Sequence, residues 1–230
     1  MSTSTAHPTA IVVLSGGLDS TTLAYHLRDD GYDLRLLSVD YGQRHRRELD
    51  FAVATGRRLN APHHVVDLSS VGLLLRGSAL TDTSVNVPDG HYTDTTMRIT
   101  VVPNRNALML DTAVAIAVTY RADAVAFGAH SGDHTIYPDC RPVFLEAFRR
   151  SAQLGNEGAL HDAFQIMAPF LSWSKADIVL RGAELGVPFD DTWSCYRGED
   201  VHCGGCGTCV ERREAFASAG VDDPTSYATV

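Results

Sequence analysis

Ala10-Ile11-Val12-Val13-Leu14-Ser15-Gly16-Gly17-Leu18-Asp19-Ser20-Thr21 is the stretch on which the fold of this 230-residue chain turns. An aliphatic run suited to a buried strand meets a glycine turn. The turn opens into a helical pattern running from Leu18 to Asp29. A strand, a glycine turn and a helix N-terminus together make an anion site. Gly16 and Gly17 let backbone N–H groups approach phosphate oxygens, and the helix dipole adds positive character there. Ser15, Ser20 and Thr21 offer hydroxyl donors. The stretch lacks the Gly-Lys-Ser/Thr of a Walker loop and the spaced glycines of a dinucleotide fingerprint. The plainer alternative is a strand-to-helix turn rich in small residues.

Outward from this point, strand and helix signals alternate. Strands are expected at Ala10–Leu14, Leu34–Asp40, His63–Asp67 and Ala124–Gly128. Helices are expected at Leu18–Asp29, Arg46–Leu59 and Arg105–Tyr120, with stops at Gly31 and at Asn60-Ala61-Pro62. This order implies an α/β fold with a parallel, doubly wound sheet, and it puts the glycine loop where such sheets bind ligands. Ser69 to Asn104 has no clear period and reads as a lid or substrate loop. Beyond Gly128, Val143–Leu154 and Ser174–Leu185 look helical, the second with Ser174 as N-cap. Ile166–Leu171 is a short apolar run between them.

Composition narrows the function classes. The formal net charge is −9, which opposes a protein that coats nucleic acid. The basic run Arg44-His45-Arg46-Arg47 reads as a solvated helix start. No apolar stretch reaches membrane-spanning length. Met1–Thr9 has no basic region ahead of an apolar segment, so it is expected to be a disordered tail of a cytoplasmic protein. Lys175 is the only lysine among nineteen lysine and arginine residues.

Four of the five cysteines crowd one segment: Cys195, Cys203, Cys206 and Cys209, spaced Cys-x7-Cys-x2-Cys-x2-Cys. Without an export signal, this pattern favours metal over disulfides. Four thiolates close the coordination shell of tetrahedral zinc, which makes a structural site. An iron–sulfur cluster, replacement of one thiolate by His202, and metal-free cysteines are the alternatives. Cys140 stands apart, as a small buried residue or part of a substrate pocket. His130 and His134 read as solvated loop residues.

The Ser15–Ser20 stretch resembles the SGGxDS loop of the ATP pyrophosphatases, the PP-loop superfamily with its adenine nucleotide alpha hydrolase-like fold. Further segments sharpen the likeness: Asp40-Tyr41-Gly42-Gln43-Arg44-His45, Val102-Pro103-Asn104-Arg105-Asn106, Tyr137-Pro138-Asp139-Cys140-Arg141 and Thr192-Trp193-Ser194-Cys195-Tyr196. In this order, with four terminal cysteines, they resemble the 7-cyano-7-deazaguanine synthase family across nearly the whole chain. One departure is Asn104 at an expected glycine, a residue that tolerates left-handed backbone angles.

The resemblance implies a short tail at 1–9 and an ATP-binding domain at 10–191 with its lid or substrate loop near 69–104. A zinc segment at 192–230 packs on that domain. It implies that Leu14, Ser15, Gly16, Gly17, Leu18, Asp19, Ser20, Thr21, Thr22, Leu23 and Ala24 bind ATP. Asp19 would hold Mg²⁺, the alternative being that it only caps the helix. Lys175 would follow the departing phosphates, and Arg105 and Arg141 would grip phosphate or the substrate carboxylate. Tyr41 and Gln43 are candidates for facing adenine or ribose. The implied substrates are 7-carboxy-7-deazaguanine, ammonia and ATP, with Mg²⁺ and Zn²⁺ as metals. The implied assembly is a homodimer that touches neither nucleic acid nor membrane. Two other readings stand beside this one. The first is a related adenylating enzyme forming an amide or acting on another carboxylate or a tRNA base. The second is a non-enzymatic nucleotide sensor with a zinc-held interaction module.

Overall fold

The computed structural model describes residues 7–91, 94–133 and 137–228. Five strands form one parallel sheet: β1 (Thr9–Val13), β2 (Asp33–Asp40), β3 (His63–Asp67), β4 (Ala124–Ala126) and β5 (Gln165–Met167), in the order β3-β2-β1-β4-β5. Ala10 pairs with Leu34 on one side and Ala124 on the other, so β1 is the central strand. The chain departs from β1 toward β2 and later returns to β4 on its opposite flank. The end of β1 is therefore the switch point, where a crevice opens in sheets of this type.

Alternation along β1 builds two cores. Ala10 and Val12 face one layer with α1 (Leu18–Asp29), α2 (Glu48–Arg58), α7 (Lys175–Glu184) and α8 (Gly207–Ala219). Ile11 and Val13 face the other with α5 (Arg105–Tyr120) and α6 (Pro142–Gly155). With both faces covered, the central strand is apolar and buried from Ala10 to Val13, as the middle of a parallel sheet requires, while the edge strand β3 carries exposed polar residues. The expected doubly wound α/β sheet is present.

Several details differ from the sequence reading. Residues 1–6 of the expected tail lie outside the described residues, and Thr9 already belongs to β1. The apolar run near Ile166 supplies an edge strand, too short at three residues to carry its own period. The segment 69–104 holds two short helices, α3 (Ser69–Gly72) and α4 (Asp94–Arg98). Its described residues dock on the cysteine segment: the Gly90 amide donates to the Gly205 carbonyl (2.9 Å), and Arg197 pairs with Asp89. The cysteine-rich tail contains a whole helix, α8, which its Cys and Gly content disguised.

Helix α7 reaches α1 by close approach at Gly182. A Cβ there would meet the Phe189 ring at 2.5 Å and Thr22 Oγ1 at 3.0 Å. Phe189 cannot retreat, because it packs edge-on against buried Phe216 at 4.9 Å. Gly182→Ala is expected to destabilise the protein by about 1–3 kcal/mol through overpacking, measured as a lowered urea midpoint. A midpoint equal to that of the parent chain would show that this layer has slack.

Candidate active site and cysteine centre

The turn after β1 is built as an open anion site. Gly17 caps α1 with no side-chain hydrogen bond, which leaves first-turn N–H groups to face an anion. Ser15 and Ser20 hold the loop in shape: the Ser20 hydroxyl accepts from the Ser15 amide (3.1 Å), and the Ser15 hydroxyl accepts from the Gly17 amide (3.2 Å). Gly16 has φ +88°, and a Cβ there would stand 2.1 Å from the Glu48 carbonyl oxygen on α2. Its freedom is thus needed first by packing. The Gly16 carbonyl also accepts from the Trp193 amide (2.9 Å), which ties the cysteine segment to the loop.

A cleft of about 220 Å³ opens at this loop, between the ends of β1, β2 and β4. Lys175, the first residue of α7, enters it. Ser174 sets the entry through a capping box, its hydroxyl accepting from the Asp177 amide (3.2 Å) while Asp177 accepts from the Ser174 amide (2.8 Å). Lys175 Nζ lies 2.6 Å from Glu211 Oε2 and 3.4 Å from Asp19 Oδ2. Burial works against its charge, but the two carboxylates outweigh burial and raise its pKa, so the ammonium is permanent. Asp19 Oδ1 is buried without a hydrogen-bond partner. That free oxygen, at the edge of a phosphate-shaped loop, suits a hard divalent cation.

Arg105 enters from the start of α5, beside Tyr41, Tyr137 and Tyr196. Asn104 places it, in the left-handed conformation (φ 56°) that its residue type tolerates. Burial drives the Tyr41 hydroxyl up to about 12 and raises that of Tyr137 as well, so Arg105 meets these two as neutral phenols and keeps its charge for an incoming anion. Behind it, Gln43 turns its amide inward, donating to the Val39 carbonyl (3.2 Å) and to Glu48 Oε1 (3.1 Å). Glu48 Oε2 is 3.4 Å from His45 Nε2. Burial pushes Glu48 up to about 8 and pulls His45 down to about 3, with Arg105 adding to the second shift. At neutral pH this pair sits in its uncharged form. Asp133 also lines the cleft, with its pKa raised by burial. The Cys140 thiol accepts from Asn106 Nδ2 (3.2 Å), and burial raises its pKa, so it stays protonated.

The four clustered cysteines are all buried, with their sulphurs within 4.8 Å of one another. Four thiolates at about 2.3 Å from one ion span a comparably small tetrahedron. Backbone amides of Cys203 and Cys206 donate to the sulphurs of Cys195 (3.4 Å) and Cys203 (3.3 Å), which favours thiolate charge. His202 is not part of the set: its Nε2 accepts from the Ser194 amide (3.0 Å) and its ring packs on Trp193 at 4.3 Å. A four-iron cluster would hold its thiolates further apart than one ion does, so the geometry fits a single metal ion.

The structure brings Leu14, Ser15, Gly17, Leu18, Asp19, Ser20, Lys175 and Arg105 to the cleft. Thr21, Thr22, Leu23 and Ala24 are buried and do not line it, because the turns of α1 carry them into the core; Gly16, ahead of α1, is buried against the backbone of α2 and does not line it either. Arg141 sits outside the lining as the exposed N-cap residue of α6. The described residues of 69–104 contribute nothing to the lining. His130 is only 4% exposed, a correction to its reading as a solvated residue, because its Nδ1 accepts from the Gly132 amide (3.1 Å) inside a tight turn. His134 lies outside the described residues. His45 is likewise buried, not solvated. Sequence reasoning missed Glu48, Asp133 and Glu211. The triplet spacing of His45 and Glu48 was the one available signal.

Residues 9–220 match the family described as "Queuosine biosynthesis protein QueC". A protein of Rhizobium johnstonii named 7-cyano-7-deazaguanine synthase is 56% identical over 94% of this chain and 91% of its own length. A protein of Brucella ovis with the same name is 55% identical over 94% of this chain and 92% of its own. Among solved structures, the NMN synthetase of Francisella tularensis shares the fold at TM-score 0.50 and 16% identity, covering 95% of this chain and 79% of that one.

The buried Glu48–His45 pair makes stability depend on pH. Glu48 is raised from 4.5 to about 8, so its contribution is whole below pH 4.5 and is lost as pH rises toward 8. His45 is lowered from 6.5 to about 3, so its contribution is whole above pH 6.5 and is lost as pH falls toward 3. The slopes cancel between pH 4.5 and 6.5. From pH 6.5 to 8 the Glu48 slope stands alone, and unfolding free energy is expected to fall by roughly 2 kcal/mol. Glu48→Gln should remove that fall in urea titrations across the range. An unchanged alkaline slope in the variant would show Glu48 already ionised in the folded protein.

Proposed function

The chain belongs to the queuosine biosynthesis protein QueC family, and from that premise we propose that it carries 7-cyano-7-deazaguanine synthase activity, an ATP-dependent carbon–nitrogen ligation. The observation that carries the reading at the level of chemistry is the uncapped N-terminus of α1 facing Lys175 across one cleft. Carboxylate is a poor electrophile because oxide would have to leave. The substrate carboxylate of 7-carboxy-7-deazaguanine attacks the α-phosphorus of ATP, and pyrophosphate departs. The amides of Gly17 and the first turn of α1, with the Ser15 and Ser20 hydroxyls, grip the polyphosphate. Lys175 neutralises the charge that builds on it. Ammonia adds to the acyl-adenylate and AMP leaves, giving the amide. The amide oxygen attacks the α-phosphorus of a second ATP and pyrophosphate departs; loss of AMP and of the two nitrogen-bound protons then yields the nitrile.

No protein nucleophile is required, and the protonated Cys140 thiol agrees with that. Arg105, flanked by neutral phenols, is placed to hold the substrate carboxylate or a phosphate. Arg141, being outside the lining, would serve the reaction only if the α6 N-terminus moved inward. Asp19 with its unpartnered Oδ1 would hold Mg²⁺, whose contribution is to offset the polyphosphate charge. Cys195, Cys203, Cys206 and Cys209 would hold Zn²⁺ as a structural ion that fastens α8 to the sheet domain.

The proposal extends to the domain division at 10–191 and 192–230, with the lid role for 69–104 exercised through contacts to the cysteine segment. It further includes a cytoplasmic homodimer using free ammonium and not touching nucleic acid, in keeping with the −9 charge. Among the described residues no helix is long and apolar enough to cross a membrane.

With ATP, magnesium, ammonium and 7-carboxy-7-deazaguanine, the protein is expected to release pyrophosphate and form a product whose mass is that of the nitrile. Lys175→Ala should lower kcat by about 10²–10³. Release of ADP and orthophosphate instead would sink the reading. Elemental analysis should find one zinc per chain, and Cys206→Ser should lose it together with cooperative unfolding.

A further inference from the structure

Lys175 has two carboxylate neighbours, and the chemistry above employs only one of them. Glu211 lies on α8, 36 positions further along the chain, at the shorter distance of 2.6 Å. It does not line the cleft and is not one of the four clustered cysteine ligands. Its carboxylate is 31% exposed and that of Asp19 is 23% exposed, so the lysine is gripped from two sides in a partly dry setting.

We propose that Glu211 is a positioning residue for the adenylyl-transfer step: it anchors the Lys175 ammonium over the phosphate loop. The inference rests on the reading of Lys175 as the phosphate-facing cation. Asp19 cannot be the anchor during turnover. Its free Oδ1 is the natural ligand for a divalent cation, and a cation bound there competes with Lys175 for the same carboxylate and repels the ammonium. When the loop is loaded, Glu211 is the partner that stays. A lysine stem has four rotatable carbons, so an unanchored ammonium would spend most of its time elsewhere.

The position of Glu211 is itself fixed. Its chain neighbour Arg212 is 1% exposed and donates to the Thr192 hydroxyl (2.7 Å), the Phe189 carbonyl (2.8 Å), the Ser194 hydroxyl (3.2 Å) and Asp223 (3.2 Å). The docking of α8 on α7 does not depend on the ion pair, because Ile178, Val179, Ala215 and Phe216 share one buried core. Removing the Glu211 charge should therefore leave the fold in place.

The test is a double-mutant cycle on pyrophosphate release. Glu211→Gln is expected to lower kcat about tenfold, the scale of one charge-assisted hydrogen bond, with KM for the acid unchanged. Glu211→Asp should recover part of the loss. Lys175→Ala should fall further, and Lys175→Ala/Glu211→Gln should be no slower than Lys175→Ala alone, because Glu211 acts only through the lysine. Metal content and the urea midpoint of Glu211→Gln should match the parent. A parental kcat in Glu211→Gln, a double variant about tenfold below Lys175→Ala, or metal loss in Glu211→Gln would each overturn the inference. A parental rate in Lys175→Ala would instead remove the reading of the lysine on which it stands.

Discussion

One atom is missing where β1 turns into α1, and the surrounding architecture depends on its absence. A Cβ on Gly16 would stand 2.1 Å from the Glu48 carbonyl and 2.7 Å from the Ala52 amide nitrogen. Because it is not there, α2 presses its backbone onto the loop. That contact carries the side chains of His45 and Glu48 to the wall of the cleft. The same residue offers its carbonyl to the Trp193 amide, so the cysteine segment closes on the loop from the other side. Three distant parts of the chain thus converge on one glycine. The usual account of such a residue is that it admits a ligand; here it admits the protein first.

The cleft resolves a conflict between the whole molecule and its site. A chain with net charge −9 must bind polyanions. It does so with few cations placed where water is scarce: one lysine, one arginine among phenols, and the partial charge of a helix end. Glu48, a buried acid within the electrostatic reach of Arg105, is kept neutral by its burial and so does not cancel the arginine. Local field and overall charge are set by different residues, which is why a composition that opposes a nucleic-acid coat is compatible with a nucleotide site.

What could be read in advance followed the range of the interactions responsible. The bounds of α1, β3 and α5 agree with the sequence reading, since each is set by periodicity and adjacent turn residues. Asn104 in the left-handed conformation was legible for the same local reason. α8 was hidden, because Cys206 at its N-cap and Gly207 and Cys209 in its first turn stand where helix formers would be expected. Edge strand β5 was hidden by its length. Of the site, the phosphate loop, Lys175, Arg105 and the four cysteines were visible as motifs. Glu211 was not, because nothing in a linear pattern relates positions 175 and 211; only the docking of two helices does. Thr22, Leu23 and Ala24 were counted with the loop because they follow it in sequence, yet a helix turns away from its own N-terminus within one turn.

The tie between Gly16 and Trp193 also bears on how the molecule comes into being. The loop and the segment that closes it are separated by most of the chain, so this turn is completed by a long-range contact and not by its own local sequence. A growing chain could form most of the sheet and still lack a finished nucleotide cradle.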